Sequence, residues 1–167
     1  PVGDCIGEFP YVQDFESGFG TWTQDEGDNG DWLVNSGNTP STGTGPSEAS
    51  NGANYIFVEA SNLGRPGEVG PNGSAILNSP CIDLLNVSQA SFSFDYHMFG
   101  TVDAGSLSID VTTDDGNTWT TLWEKTSYQG DQWITEAISL DAFIGSVIQL
   151  RIHRRTGTFW QSDVAVD

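Results

Sequence analysis

The chain has 167 residues, of which 23 are Asp or Glu and only 5 are Lys or Arg, for a formal charge of −18. That balance excludes a nucleic-acid binder, because neutralising phosphates takes a dense field of Lys and Arg. The 20 Gly, 9 Phe, 6 Trp and 4 Tyr, spread among polar turn formers, are the composition of a β protein with many turns and not of a disordered acidic tail.

Short strands are predicted over residues 21–24, 32–34, 55–60 and 75–78. Further on, Phe92, Phe94, Tyr96 and Met98 alternate with Ser93, Asp95, His97 and Phe99, and Leu107, Ile109 and Val111 alternate with Ser106, Ser108 and Asp110. Period-two alternation means one buried face per strand. Strands at 118–123 and 133–140 follow. In the last one, 147–155, Ile148, Leu150 and Ile152 share one parity while Gln149, Arg151, His153 and Arg155 share the other. No window of a dozen residues carries the i, i+3, i+4, i+7 apolar pattern of a helix. About nine strands parted by Gly, Asn and Asp turns read as a single all-β domain over 1–167, an antiparallel sandwich with long surface loops at 35–52 and 62–73.

No apolar run approaches the roughly 20 residues that cross a bilayer, and no basic segment leading into an apolar one opens the chain. The sequence therefore reads as a mature or excised soluble segment without membrane insertion. Cys5 and Cys81 lack metal-ligand spacing. Two buried thiols would suit the cytosol and one disulfide an oxidising compartment, and the acidity, scarce Lys and abundant Trp, Gly, Ser and Thr favour the second.

The residues Thr112 to Trp119 fit S/T-x-D-x-G-x-T-W, a hairpin in which Asp114 bonds the turn amides and Trp119 packs over the turn. Three of the five basic residues fall within Arg151 to Arg155. By parity Arg151, His153 and Arg155 point away from the core, as do Asp95 and His97 on the earlier strand. If the two strands share a sheet, these five make one polar ligand face, suited to a glycan and best to one bearing sulfate or carboxylate. A plainer expectation is a cross-strand Arg151–Asp95 pair. Catalysis finds little support: there is no nucleophile elbow, no HExxH and no Cys–His pairing, though a Ser-His-Asp triad stays open.

The string Phe92-Ser93-Phe94-Asp95-Tyr96-His97-Met98-Phe99-Gly100 resembles the F-x-Y-H-M-x-G signature of the MAM domain, the extracellular module of meprins, neuropilins and receptor tyrosine phosphatases. Asp14-Phe15-Glu16, Trp22, Asp31-Trp32, Thr44-Gly45-Pro46, the stretch from Tyr55 to Ser61, Leu77 to Pro80, Gly105-Ser106-Leu107, Leu122-Trp123, Gln129 to Trp133 and Asp163 to Asp167 fall in the family's order. The chain is also similar to domains appended to secreted enzymes and adhesins of gliding marine bacteria. The resemblance implies a jelly roll at the cell surface or secreted, without catalysis of its own, beside a catalytic domain in the parent chain. The function read from the outward sheet face is carbohydrate binding; the alternative, which the animal members imply, is protein interaction and adhesion. Animal members usually carry four cysteines; this chain departs from that pattern, and Cys5 is paired with Cys81. Related sandwiches tie first and last strands with a structural Ca²⁺, which carries over to Glu16, Asp28 and Asp167, with Asp31 as a further ligand. The alternative is that these acids are solvated.

Overall fold

A computed structural model describes residues 4–167. Eleven strands follow one another: β1 (Thr23–Gln24), β2 (Leu33–Ser36), β3 (Asn54–Val58), β4 (Ser74–Asn78), β5 (Ile82–Asp83), β6 (Ser91–Met98), β7 (Ser106–Thr112), β8 (Thr120–Lys125), β9 (Trp133–Ser139), β10 (Val147–Arg155) and β11 (Val164–Val166), with one short 3₁₀ turn at Asp141–Phe143. They form two antiparallel sheets. One runs β1-β4-β10-β7-β8 with β5 added on β10, the other β2-β3-β11-β6-β9. This is the expected all-β sandwich. The predicted strands all appear; β5 and β11, two and three residues long, are the additions, too short to show alternation.

Alternation decides what lies between the sheets. Leu107, Ile109, Val111, Ile148, Leu150 and Ile152 face Phe94, Tyr96, Met98, Val58 and Val164 across the core. A bulge in β8 lets Trp123 pair with Ile109 while Thr121 pairs with Asp110. Trp123 thereby turns inward and meets the rings of Phe94 and Tyr96 edge-on, each at 5.0 Å. Cys5 and Cys81 are joined by a disulfide, as expected from the sequence. Ile6 donates its N–H to the Cys81 carbonyl at 2.8 Å and lies parallel to Ile82, so the N-terminal segment is tied to the edge of the first sheet.

One contact is placed against polarity. The Arg154 side chain is fully buried at the end of the core. Its guanidinium donates to the carbonyls of Ala104, Ser106, Arg155 and Ser162 at 2.5–3.0 Å, binding the 156–163 loop to the start of β7. Burial lowers its pKa to about 10, so it stays charged at neutral pH.

Candidate functional site

The two halves of the expected ligand face are on opposite sides of the molecule. Asp95 and His97 stand on β6, which pairs with β9 and β11, whereas Arg151, His153 and Arg155 stand on β10, which pairs with β4 and β7. Outward parity in two different sheets means two different outer faces. The alternation established that each side chain leaves the core; it carried no information on which sheet each strand joins.

The β6 side is also closed. The segment 37–53 lies over it and is held by bonds from many directions. Tyr55 donates its hydroxyl to the Gly37 carbonyl (2.7 Å), Trp133 its indole N–H to Glu48 (2.9 Å), and Ser50 its hydroxyl to Asp95 (2.6 Å). Asp95 accepts a second bond from Thr135. His97 is 2% exposed, bonded to Asp131 at 2.9 Å and set against the rings of Trp133 and Phe99. Burial lowers its pKa, only partly opposed by Asp131, and the ring is neutral at pH 7. Asp95 thus holds the covering loop through Ser50, and His97 holds the Asp131 turn. Neither presents itself to a ligand.

Beneath that loop Glu59 and Asp163 form a buried pair of carboxyls, 2% and 0% exposed. Glu59 accepts bonds from Ser41 and the Ser61 amide, Asp163 from the Ala60 amide, and each keeps one buried oxygen without a partner. Burial, then the neighbouring Glu59 charge, raises the Asp163 pKa from 3.8 to about 8. The native state therefore holds a proton that the unfolded chain releases near pH 4. This contribution to stability is complete below pH 4 and lost as pH rises through 8. Thermal melts should give a higher midpoint at pH 5 than at pH 9, and Asp163→Asn should flatten the difference. An equal slope in the variant would assign it to other groups.

The β10 side carries a second polar cluster, in which Asp110 is buried and Arg151 partly exposed. Arg151 donates through Nε to Asp110 Oδ2 at 2.8 Å, Thr121 donates to the other Asp110 oxygen at 2.9 Å, and His153 Nδ1 stands 3.7 Å from Oδ2. The expected Arg151 partner, Asp95, is replaced by Asp110, because β7 and not β6 is the neighbour of β10 and Arg151 faces Asp110 in register. Burial pushes the Asp110 carboxyl up, but its interactions with His153, Arg151 and Thr121 outweigh this and hold it well below the usual carboxylate range. The guanidinium lies over the Trp119 ring, 4.4 Å from its centroid, in cation–π geometry.

The hairpin positions Trp119. Asp114 accepts bonds from the Thr112 hydroxyl, the Thr118 amide and the Thr118 hydroxyl at 2.6–2.8 Å, and Asn117 N–H closes the turn on the Asp114 carbonyl. Asp115 and Gly116 take φ of 55° and 83°, the left-handed pair that an Asp-Gly turn accommodates. The sequence motif thus assigned the turn chemistry correctly. It missed that the ring is directed onto Arg151. Deeper in the face, Ser108 Oγ and His153 Nδ1, register partners on β7 and β10, are both buried without a hydrogen-bond partner. Arg155 is exposed at the strand's end, opposite Ser106.

The four acids assigned to calcium do not converge. Among the described residues no three His, Cys, Asp or Glu side chains gather as a metal site. Asp28 accepts the Ile76 amide at 2.7 Å beside β4, and burial, together with Asp25 and Asp31, raises its pKa against that bond. Glu16 accepts the Ala53 and Asn54 amides elsewhere, and Asp167 the Asn51 amide. As a set, Glu16, Asp28, Asp31 and Asp167 do not gather: three of them are spent on backbone donors, Asp28 at Ile76 and Glu16 and Asp167 at residues 51–54.

Two antiparallel sheets with these crossovers define a β-sandwich module of the jelly-roll type. The chain belongs to the MAM family: the model described as "MAM domain, meprin/A5/mu" matches residues 13–167. Human zonadhesin is 25% identical over 99% of this chain, and human MAM domain-containing protein 2 is 27% identical over 100% of this chain. The chain spans 6% and 22% of those two relatives. These relatives are mammalian and lend nothing to a bacterial origin. Among solved structures, similar folds are carbohydrate-binding modules described as of the β-sandwich superfamily (TM-score 0.57, 17% identity, 92% of this chain and 58% of that one). TmCBM61 in complex with β-1,4-galactotriose is another (TM-score 0.54, 16% identity, 92% and 89%). At such identities the likeness is one of fold.

Proposed function

We propose that this domain binds a glycan on the outer face of β10, β7 and β8, with Trp119 as the stacking ring and Arg151, His153 and Ser108 as its polar partners. The observation that carries this reading is the Arg151–Trp119 stack beside two buried polar atoms that the protein leaves unpaired. An aromatic face accepts the C–H side of a sugar ring, and unpaired donors and acceptors next to it suit hydroxyls. The carbohydrate-binding modules of the same fold support it. Asp110 already neutralises Arg151, so the preferred ligand is an uncharged chain and not the sulfated or carboxylated one that the basic cluster suggests in the sequence. The reading is one of binding without catalysis, in an oxidising, extracellular setting that suits the disulfide, beside other domains of a longer chain. A glycan array spanning neutral and anionic polysaccharides tests it: hits should be neutral and should weaken in Trp119→Ala.

Adhesion to a protein is the second reading, favoured by Phe159 and Trp160, each 38% exposed, their rings tilted against each other at 5.6 Å on a loop fixed by Arg154. Protein partners without any glycan hit would select it. Calcium is carried as a proposal for Glu16 and Asp167 alone. Burial raises the Asp167 pKa, with Asp95 and Glu16 adding repulsion that a divalent cation would relieve. Millimolar Ca²⁺ should raise the melting temperature and EDTA reverse it; an unmoved midpoint discards the ion.

A further inference from the structure

Two loops meet at one end of the sandwich. β10 ends at Arg155 opposite Ser106, the first residue of β7, and β11 begins at Val164 opposite Met98, the last of β6, so residues 99–105 and 156–163 leave the strands side by side. β11 runs away from these loops. The Cys5–Cys81 bond lies near the far end of β10, where Ile82 pairs with Ile148, roughly 20 Å off at a rise of about 3.3 Å per residue. Nothing at the loop end depends on what stands beside Asp167.

The two loops are fixed to each other. Thr101 donates its hydroxyl to Gln161 Oε1 at 3.1 Å, the Thr158 N–H donates to Asp103 Oδ2 at 3.1 Å, and the Tyr128 hydroxyl donates to the Val102 carbonyl. Gly100 and Gly157 have no room for a Cβ, the first against the Gln161 carbonyl and the second against that of Asp103, so the two backbones lie directly on one another. Ser162 donates to the Phe159 carbonyl at 2.9 Å, and Arg154 holds Ser162 from the core. On this frame Val102 is 54% exposed beside Phe159 and Trp160, whose ring centres are 5.6 Å apart with the planes at 42°. Asp103, also exposed, adds a carboxylate that the Gly105 and Thr158 amides hold below the usual range.

We propose that this ledge is a second saccharide site, in which Trp160 and Phe159 take the C–H faces of uncharged sugar units and Asp103 accepts their hydroxyls. Size chooses a sugar over a protein: Val102, Phe159 and Trp160 are the exposed large apolar residues of the two loops, far less than the about 800 Å² per partner that a stable protein interface buries. Spacing agrees, since ring centres 5.6 Å apart are close to the step from one sugar ring to the next in an extended chain. A platform already held by its own bonds loses little freedom when a ligand arrives. The Asp103 carboxylate, in a chain of charge −18, turns away sulfated and carboxylated sugars. This site is separate from the β10 face, and it assigns to a sugar the two residues that favour protein adhesion in the second reading.

The test is an NMR titration of the parent, Trp160→Ala and Trp119→Ala with three uncharged trisaccharides, the β-1,4-linked trimers of galactose, glucose and xylose. At least one should shift the Trp160 indole N–H and the Val102 and Phe159 amides saturably. Trp160→Ala, a change at an exposed ring, should keep the fold and weaken that sugar about ten-fold or more, read at the Val102 amide. Phe159→Ala should weaken it by a smaller factor, and the shifts of the parent keep the test decisive if either variant does not fold. Trp119→Ala should leave the response at Trp160 as it is while removing glycan binding on the β10 face, so the two sites fail separately. No saturable shift at these residues with any of the three sugars, or an affinity at Val102 that Trp160→Ala leaves unchanged, overturns the proposal. A protein ligand that shifts them where no sugar does also overturns it, in favour of adhesion.

Discussion

Arg154→Leu should lower the stability of this domain by about 3–5 kcal/mol, a drop of roughly 10 °C or more in melting temperature for a chain of this size. The side chain is fully buried and its guanidinium satisfies the carbonyls of Ala104, Ser106, Arg155 and Ser162. Leucine would fill much of the volume and leave those acceptors unpaired in the interior, each at a cost of about 1–3 kcal/mol where no water enters. Arg154→Lys should recover only part of the loss, because an ammonium on a flexible stem cannot reproduce a planar fan of donors. The variant should also loosen the loop carrying Phe159 and Trp160, which limited proteolysis would report. A melting temperature within a degree or two of the parent would show that the carbonyls find other partners.

Removing the disulfide should cost nearly as much. Cys5 and Cys81 are 76 residues apart, and in the chain-entropy model a loop of that length is worth about 4 kcal/mol. The bond also ties the N-terminal segment to the edge of the first sheet, together with the bonds between Ile6 and the Cys81–Asp83 stretch. Cys5→Ala/Cys81→Ala, or reduction of the parent, should lower the melting temperature by roughly 10 °C. Reduction without effect on the midpoint would contradict this account of the bond.

The strands were legible in the sequence because alternation survives wherever one face is buried: Leu107, Ile109 and Val111, or Ile148, Leu150 and Ile152, signal their inward direction without help. The cysteine pair was legible through composition and the absence of other cysteines. Sheet membership was not. Asp95 and Arg151 carry the same outward parity, and only the long-range pairings of β6 with β11 and of β10 with β7 separate them. The covering of one outer face by residues 37–53 was equally hidden, since a Ser-, Thr- and Gly-rich loop looks the same whether it projects into solvent or lies on a sheet. Trp119 was read correctly within its hairpin, and the ring's contact with Arg151 depends on the neighbouring strand. The acids given to calcium were grouped by chain position, whereas their actual partners are backbone amides of distant residues such as Ile76 and Asn54.

If Trp119 and Arg151 form one glycan-reading surface, titration calorimetry of the parent, Trp119→Ala and Arg151→Ala against the strongest neutral array hit shows it most directly. Loss of the stacking ring, or of charge-assisted bonds worth about 1.5–3 kcal/mol, should weaken binding about ten-fold or more in each variant, with circular dichroism unchanged. Trp119→Ala is the cleaner of the two, because it leaves the Arg151–Asp110 pair in place. His97→Ala, on the covered face of the other sheet, should leave glycan affinity as it is. Equal affinities of the parent, Trp119→Ala and Arg151→Ala, or a loss confined to His97→Ala, would contradict the assignment.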